Sequence, residues 1–295
     1  MYDTTKPITD RILELIESCK RDVPASTDGI GTKGIYHWQQ RSFRNAVLDA
    51  LAMNLNDMAV LRARVIGVHN HIIIPEDDDE AIEEIIKTFV RECGKRDIFI
   101  DSGETAIHDD FKGVEISVSV TGEYVKKRKN EFEEGDYLIG IKSNGLHSNG
   151  FTKIRKLFGK EYRPEFVEPT FIYSDALLDL IKKVEINGMV HITGGAYIKL
   201  KQLLKNTDAV INNEHGLIPH TIFKELYERG VSDKGMYKTF NCGIGFILSV
   251  FPKDAKNVIS NLRNFGFDAE HIGVIVSGTG KVRINSMFSQ EEVIL

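Results

Sequence analysis

Tyr137-Leu138-Ile139-Gly140-Ile141-Lys142, followed by Ser143-Asn144-Gly145-Leu146-His147-Ser148-Asn149-Gly150 and then Phe151, passes from an apolar strand through a run of small polar residues into a helix. A strand, a Gly-rich turn and a helix in that order are the unit of an α/β domain. Small residues in such a turn leave backbone N–H groups and the helix N-terminus open to an anion, and a phosphate is the natural occupant. A purely structural turn is the alternative reading, although such a turn requires neither a histidine nor two asparagines.

Downstream of this unit, helices are expected near residues 174–184, 195–204, 219–229 and 253–265, alternating with strands near 209–212, 243–250, 271–276 and 281–285. Upstream, residues 126–136 are charged, contain Glu134-Gly135-Asp136 and lack apolar periodicity, which puts a domain boundary there. Before it, Val114, Ile116, Val118 and Val120 alternate with Glu115, Ser117 and Ser119, and strands are also expected at 64–74 and 97–101. One helix should carry Phe43, Ala46, Val47, Ala50, Leu51 and Met53 inward and end near Asn56 and Asp57. Another follows Pro75, with acids at its start, Lys87, Arg91 and Lys95 towards its end, and Ile82, Ile85, Ile86 and Phe89 facing inward. A short amphipathic helix behind Pro7, with Ile8, Ile12, Leu15, Ile16 and Cys19 on one face, opens the chain.

With 295 residues, 42% hydrophobic, the chain can bury two cores, so two domains are expected, 1–128 and 129–295. A net charge of -5, with only Lys126 to Lys129 as a basic run, argues against a nucleic-acid partner. No apolar stretch reaches the ~18 residues of a membrane span, and Asp3, Lys6, Asp10 and Arg11 exclude a signal-peptide core, so a soluble cytoplasmic protein is expected. Cys19, Cys93 and Cys242 are too few and too scattered for a disulfide framework or a zinc site, and Cys19 and Cys93 read as buried thiols.

Three further groups could carry chemistry. In Thr27-Asp28-Gly29-Ile30-Gly31-Thr32-Lys33 the glycines allow close approach to a ligand, Asp28 can hold a divalent cation and Lys33 can neutralise phosphate. The spacing is not that of a Walker loop, and a tight turn serves equally well as an explanation. Asn56-Asp57 and Ser102-Gly103-Glu104-Thr105 each follow an apolar element, where loop residues converge on ligands. Asp28, Asp57 and Glu104 could together offer magnesium its hard oxygen ligands, or each could be a cap or turn residue. His191-Ile192-Thr193-Gly194-Gly195 precedes a helix, and His191 reads either as an acid-base group or as a satisfied core histidine. His69 and His71, two apart on one strand face with no third ligand, read as structural.

Taken in order, these groups resemble the motif set of the aminoimidazole ribonucleotide (AIR) synthase family, the phosphoribosylformylglycinamidine cyclo-ligases. Asp28 to Lys33 resembles Asp-Gly-Val-Gly-Thr-Lys, and Asn56-Asp57 and Gly103-Glu104-Thr105 match Asn-Asp and Gly-Gly-Glu-Thr, with Ser102 at the first glycine. Ser143 to Gly150 resembles Ser-Ser-Gly-Pro-His-Ser-Asn-Gly, and Pro169-Thr170 with Ile172-Tyr173 resembles Pro-Thr-x-Ile-Tyr. His191 to Gly195 matches His-Ile-Thr-Gly-Gly, and Phe240 to Gly245 resembles Phe-Asn-x-Gly-Val-Gly.

The resemblance implies a two-domain α/β (α+β) fold of the AIR-synthase type, whose N-terminal domain binds ATP and contributes strands to a β-barrel shared in a homodimer. It implies ATP-dependent cyclisation of formylglycinamidine ribonucleotide in purine biosynthesis, with ATP and magnesium (Mg2+) as cofactors. By the same resemblance, Asp28, Asp57 and Glu104 would hold the metal, and Gly29, Gly31, Thr32, Lys33, Asn56, Gly103 and Thr105 would line the nucleotide site. Ser143, Asn144, Gly145, His147, Ser148, Asn149 and Gly150, with Thr193, Gly194 and Gly195, would bind substrate, and His191, His147 and Lys33 would act in the chemistry.

Cys19-Lys20-Arg21-Asp22-Val23-Pro24 runs directly to the Asp-Gly strand where the family carries a longer Gly-rich segment. A non-catalytic nucleotide-binding homologue is therefore an alternative. Selenophosphate synthase-like and hydrogenase-maturation-like activities, whose expected cysteines are missing here, and a thiamine-phosphate kinase-like activity, whose family lacks the His-Ser-Asn-Gly turn present here, are others.

Overall fold

A computed structural model describes residues 8–19, 21–289 and 291–295; Pro7, expected to open the first helix, and Lys20 lie outside the described residues. In chain order the elements are α1 (Thr9–Ile16), β1 (Ala25–Gly29), α2 (Gly34–Gln39), α3 (Phe43–Val60), β2 (Ala63–Ile74), α4 (Asp79–Gly94), β3 (Phe99–Ile107) and β4 (Glu115–Tyr124). There follow β5 (Tyr137–Lys142), α5 (Phe151–Phe158), α6 (Ser174–Lys183), β6 (Gly188–His191), β7 (Thr207–Ile211), α7 (Thr221–Glu228) and α8 (Asp233–Thr239). The chain ends with β8 (Ile244–Val250), α9 (Ala255–Asn264), β9 (Ala269–Ser277), β10 (Val282–Asn285) and β11 (Glu292–Ile294).

These elements form two compact units. The first comprises Pro24–Val125 and Asn144–Leu178, so the Gly-rich turn and α5 belong with the N-terminal strands. The second combines Lys126–Ser143 and Asp179–Leu295 with the described N-terminal residues up to Val23.

In the first unit β1-β4-β2-β3 make a four-stranded sheet, open at both edges among the described residues. The period-two pattern of β4 sends Ile116, Val118 and Val120 into a core with Val68, Ile72 and Ile74 of β2. Helix α3 lies against this face and is buried on nearly every side, which its Ala-rich sequence permits. Helix α4 starts where Asp78 accepts the Ala81 N–H at 2.9 Å, with Asp79 and Glu80 in its first turn and Arg91 in its last, favourable at both dipole ends. Ile85 and Phe89 are buried as expected, whereas Ile86 is exposed, because the inward stripe runs through Ala81, Thr88 and Cys93 instead.

Two expectations fail here for identifiable reasons. Ser102-Gly103-Glu104-Thr105 is not a loop after a strand at 97–101; it is the middle of β3, paired in parallel with β2 from His69↔Ser102 to Ile72↔Thr105. This edge strand is exposed along almost its whole length, so it carries no burial pattern. Cys19 is exposed, while Cys93 and Cys242 are buried. His69, read as structural, bonds Ser102 Oγ through Nδ1 at 2.8 Å.

The second unit is built on a seven-stranded sheet, β11-β10-β7-β9-β5-β8-β6, with only the β10–β7 pair parallel. β8 is buried at all seven positions, the pattern of a strand covered on both faces. Leu138, Ile139 and Ile141 of β5 join Phe246, Ile247 and Leu248 of β8 and Ile272 and Ile275 of β9 in its core. The helix expected at 195–204 is a 3-10 helix, Ala196–Leu203. β6, α2, α8 and β11 are elements the periodicity did not announce.

Candidate functional site

Lys33 closes the turn that leaves β1. Gly31 adopts a left-handed φ of 54°, and the chain enters α2 at Gly34, where a Cβ would stand 1.7 Å from the Val114 carbonyl oxygen. That close approach directs the Lys33 side chain into the first unit, where it is 0% exposed. Its Nζ lies 2.7 Å from Asp49 Oδ2 and donates to the Glu168 carbonyl at 2.5 Å, with the Phe151 ring 5.5 Å away. Burial pulls the Lys33 ammonium below its ordinary value, an effect the Asp49 charge opposes.

Asp49, on α3, gathers more than Lys33. Its Oδ2 also meets His37 Nε2 at 2.8 Å, and its Oδ1 accepts from Ser148 Oγ at 2.8 Å, Thr170 N at 2.8 Å and Thr170 Oγ1 at 2.6 Å. Burial works against its ionisation, but Lys33 and His37 together with these donors hold the carboxyl well below the usual carboxylate range. His37 is pushed below the ordinary imidazole value chiefly by burial.

The substrate-candidate turn belongs to the first unit from Asn144 onward. His147 sits at φ 59° with its Nε2 3.1 Å from Asn144 Oδ1, and Gly150 takes φ 78° immediately before α5. Asn144 also donates to the Pro169 carbonyl at 2.7 Å. Asn56, expected near the nucleotide, uses its side chain on the backbone: Oδ1 accepts from Tyr173 N at 2.7 Å and Ser174 N at 3.2 Å, and Nδ2 donates to Phe171 O at 2.8 Å. Asp57 follows it, half-buried.

Of the carboxylates expected to share a metal, Asp57 lies on α3, and Asp28 and Glu104 stand at opposite edges of the sheet. Asp28 on β1 pairs with Val118, Val118 with Asn70, and Asn70 with Gly103, the neighbour of Glu104. Three strand spacings, about 14 Å, separate that row's ends. One ion holding its oxygens at about 2.1 Å does not span that distance within one chain. Among the described residues no three His, Cys, Asp or Glu side chains form a metal cluster. Gly103, Glu104 and Thr105 stand exposed on β3, and Gly31 and Thr32 are exposed beside half-buried Asp28 and Gly29. Glu115 lies next to Asp28 and Gly29; burial raises its carboxyl.

In the second unit Ser143 Oγ donates to Asn241 Oδ1 at 2.8 Å, while His220 Nε2 meets the Ser143 carbonyl at 2.7 Å. Asn241 Oδ1 also accepts the Gly243 N–H, so the Phe-Asn-x-Gly element fixes the start of the turn. His191 ends β6 buried and stacked on Phe246, centroids 5.7 Å apart. Thr193 Oγ1 receives Lys199 Nζ, and Gly194 and Gly195 lead into the 3-10 helix with Gly195 at φ 78°. Residues that the sequence reading did not single out therefore include Asp49, His37, Thr170, His220 and Asn241. Only Thr170 and Asn241 left a trace, as parts of quoted motifs.

The fold is a mixed α/β arrangement of two units, each built on its own sheet. Residues 12–124 match the AIR synthase related protein, N-terminal domain, and residues 133–285 match the AIR synthase related protein, C-terminal domain. The phosphoribosylformylglycinamidine cyclo-ligase of Saccharolobus solfataricus is 34% identical over 88% of this chain and 80% of that relative. The enzyme of the same name from Clostridium perfringens is 34% identical over 90% of this chain and 85% of its own. A hydrogenase maturation protein HypE in complex with ATP superposes with a TM-score of 0.68 at 15% identity, covering 100% of this chain and 96% of that one, a likeness of fold. The chain belongs to the AIR synthase family. Among the described residues, no helix is long and apolar enough to cross a membrane.

Proposed function

We propose that this protein is a phosphoribosylformylglycinamidine cyclo-ligase, a cytoplasmic enzyme that converts formylglycinamidine ribonucleotide and ATP into aminoimidazole ribonucleotide, ADP and phosphate. The observation that carries the reading is the 34% identity to enzymes of that name over nearly the whole chain. The ordered motifs, from Asp28-Gly29 to the Phe240-Asn241 element, support it.

An amide oxygen is a poor leaving group, which is why the reaction consumes ATP. The amide oxygen attacks the γ-phosphorus as the bond to ADP breaks; the amine nitrogen then attacks the activated carbon and phosphate departs with that oxygen. The enzyme's contribution is positioning and charge neutralisation. We assign Asn144 to Gly150 to the substrate with its ribose phosphate; Ser143, Thr193, Gly194 and Gly195 are assigned to substrate binding by their motifs alone. His191 and His147 are assigned to proton transfer or to steadying the oxyanion. Asp28, Gly29, Gly31, Thr32 and Lys33 are assigned to the nucleotide phosphates, with Gly103 and Thr105, like Glu104, reaching them from a second copy, whereas the Asn56 side chain is spent on the backbone of residues 171–174.

Magnesium bound with ATP would neutralise phosphate charge. It takes one or two carboxylates beside phosphates and water, which Asp28 near exposed Gly31 and Thr32 fits, with Asp57 as a second candidate. Glu104 would complete a site only from a second copy. β3, with Phe99 68% and Ile107 50% exposed, pairs with β2 on one side and, among the described residues, with no strand on the other, an edge of the kind that joins another sheet. A homodimer in which the β3 edge of each copy meets the β1 edge of the other would bring the partner copy's β3 towards β1.

The test is ADP release from ATP and magnesium with and without formylglycinamidine ribonucleotide, following aminoimidazole ribonucleotide in the same tube. Substrate-dependent ADP matched by product is expected. ATP binding without turnover would favour a non-catalytic homologue, and undiminished turnover in His191→Ala would remove that residue from the chemistry.

A further inference from the structure

Asp49 is a single carboxylate at which three motif-bearing stretches meet. Its Oδ2 takes Lys33, from the Asp28-to-Lys33 turn, and its Oδ1 takes Ser148, from the Asn144-to-Gly150 turn, and Thr170, from the Pro169-to-Tyr173 segment. The group is 0% exposed, and with His37 it receives five donors, which saturates the roughly four lone-pair sites of a carboxylate. The same segment is fixed from other directions by Lys33 Nζ on Glu168 O, Asn144 on Pro169 O, and Asn45 Nδ2 on Val167 O at 2.9 Å.

A buried ion pair of this kind is a poor means of stabilising a fold, since apolar packing of similar volume does as well or better. What it supplies is fixed geometry. The Lys33 ammonium has three protons; Asp49 and Glu168 engage two, so the direction of the third is set by Asp49. The Ser148 hydroxyl is likewise committed to Oδ1, which pins the middle of the turn ahead of α5.

We propose that Asp49 is the positioning residue of the active site: it locks the Lys33 turn, assigned to ATP phosphates, to the Ser148 turn, assigned to the ribonucleotide substrate. Asp49 is not itself a catalytic residue, because it is enclosed by protein donors. The inference rests on the ring-closing reading above, and displacement of one turn relative to the other is what its loss would cause. A misplacement on the order of 1 Å costs on the order of 100-fold in rate.

The experiment compares wild type, Asp49→Asn and Thr170→Val by melting temperature, by kcat, and by separate KM values for ATP and for formylglycinamidine ribonucleotide. Asp49→Asn preserves shape while removing the charge that holds Lys33, and kcat is expected to fall on the order of 100-fold in folded protein. Thr170→Val removes one hydroxyl from Oδ1, keeps the backbone N–H, and leaves the Lys33 arm intact. It is expected to raise KM for the ribonucleotide roughly tenfold with KM for ATP within about twofold.

A merely structural Asp49 would lower the melting temperature and leave kcat and both KM values per folded molecule unchanged; that result overturns the proposal. Should Asp49→Asn fail to fold, unchanged KM values in folded Thr170→Val overturn it equally. Absence of substrate-dependent ADP from wild type is a different failure, since it removes the ring-closing reading itself and this inference with it.

Discussion

Replacing Asn56 by alanine separates a structural from a ligand-binding use of that side chain. The wild-type amide satisfies two backbone donors, Tyr173 N and Ser174 N, and one acceptor, Phe171 O, and Asn56 is 0% exposed. A neutral hydrogen bond contributes about 1 kcal/mol net, and leaving its buried partner unsatisfied costs about 1–3 kcal/mol. Three partners lost at once, partly refilled by water, give a destabilisation of about 3 kcal/mol. At about 2–4 °C per kcal/mol for domains above ~150 residues, the melting transition should drop by about 6–12 °C. Asn56→Asp should fall at least as far, because it buries a charge and turns a carboxylate oxygen towards the Phe171 carbonyl.

The chain's one tryptophan makes the measurement specific. Trp38 is packed against the core of the first unit, so its fluorescence reports that unit even if the two melt separately. KM for ATP, measured well below the transition, should stay within about twofold of wild type if the side chain serves only the backbone. A drop of less than about 2 °C together with a raised KM for ATP would refute the reasoning and return Asn56 to the nucleotide.

Three other outcomes follow from the geometry. The folded pKa of Asp49 is depressed, so the stability it contributes is present above the unfolded value of about 4 and is lost as pH falls towards the folded one. The melting-temperature difference between wild type and Asp49→Asn should therefore shrink from about pH 5 to about pH 2, and a constant difference would contradict the assignment. If Asp28 and Glu104 act from opposite copies, mixing inactive Asp28→Asn and Glu104→Gln proteins should recover about a quarter of wild-type activity, because half the dimers are mixed and each has one intact site; no recovery would argue that they serve separate roles. Of the three cysteines, exposed Cys19 should react with a thiol reagent in native protein. Burial pushes the Cys93 thiol up to about 11 and that of Cys242 well above its ordinary value, so more than one rapid equivalent in mass spectrometry would contradict the burial.

How far the sequence carried depended on whether a residue's role was local. Strands with one buried face declared themselves: the alternation from Val114 to Val120 is β4, and the long apolar run at 64–74 is β2. Helix α4 was legible because acids, bases and an apolar stripe agree. β3 was misread past Asp101 because nothing among the described residues covers its outer edge. Its residues are chosen neither for burial nor for a turn, and Ser102-Gly103-Glu104-Thr105 reads as a loop until the pairing with β2 is seen. Cys19 was misassigned by assuming that an apolar helical face finds a cover; Leu15 on the helix just before it is 65% exposed.

Asp49 shows the opposite limit. Its partners lie 12, 99 and 121 residues away, so no window of sequence contains the site. One local sign was nevertheless available. Asp49 falls between Val47 and Ala50, three residues after Ala46, on a helix whose other positions there are apolar and buried. A carboxylate on such a face costs several kcal/mol unless it is paired. Its presence therefore calls for a cation and several donors from elsewhere in the chain. Lys33, at the end of a Gly-rich turn and itself expensive to bury, is the cation that meets it, and each charge explains the other. The isolated acid on an apolar helix face was thus a sequence feature able to point to the junction of the Lys33 and Ser148 turns, and the glycines and histidines around it only marked where those turns would be.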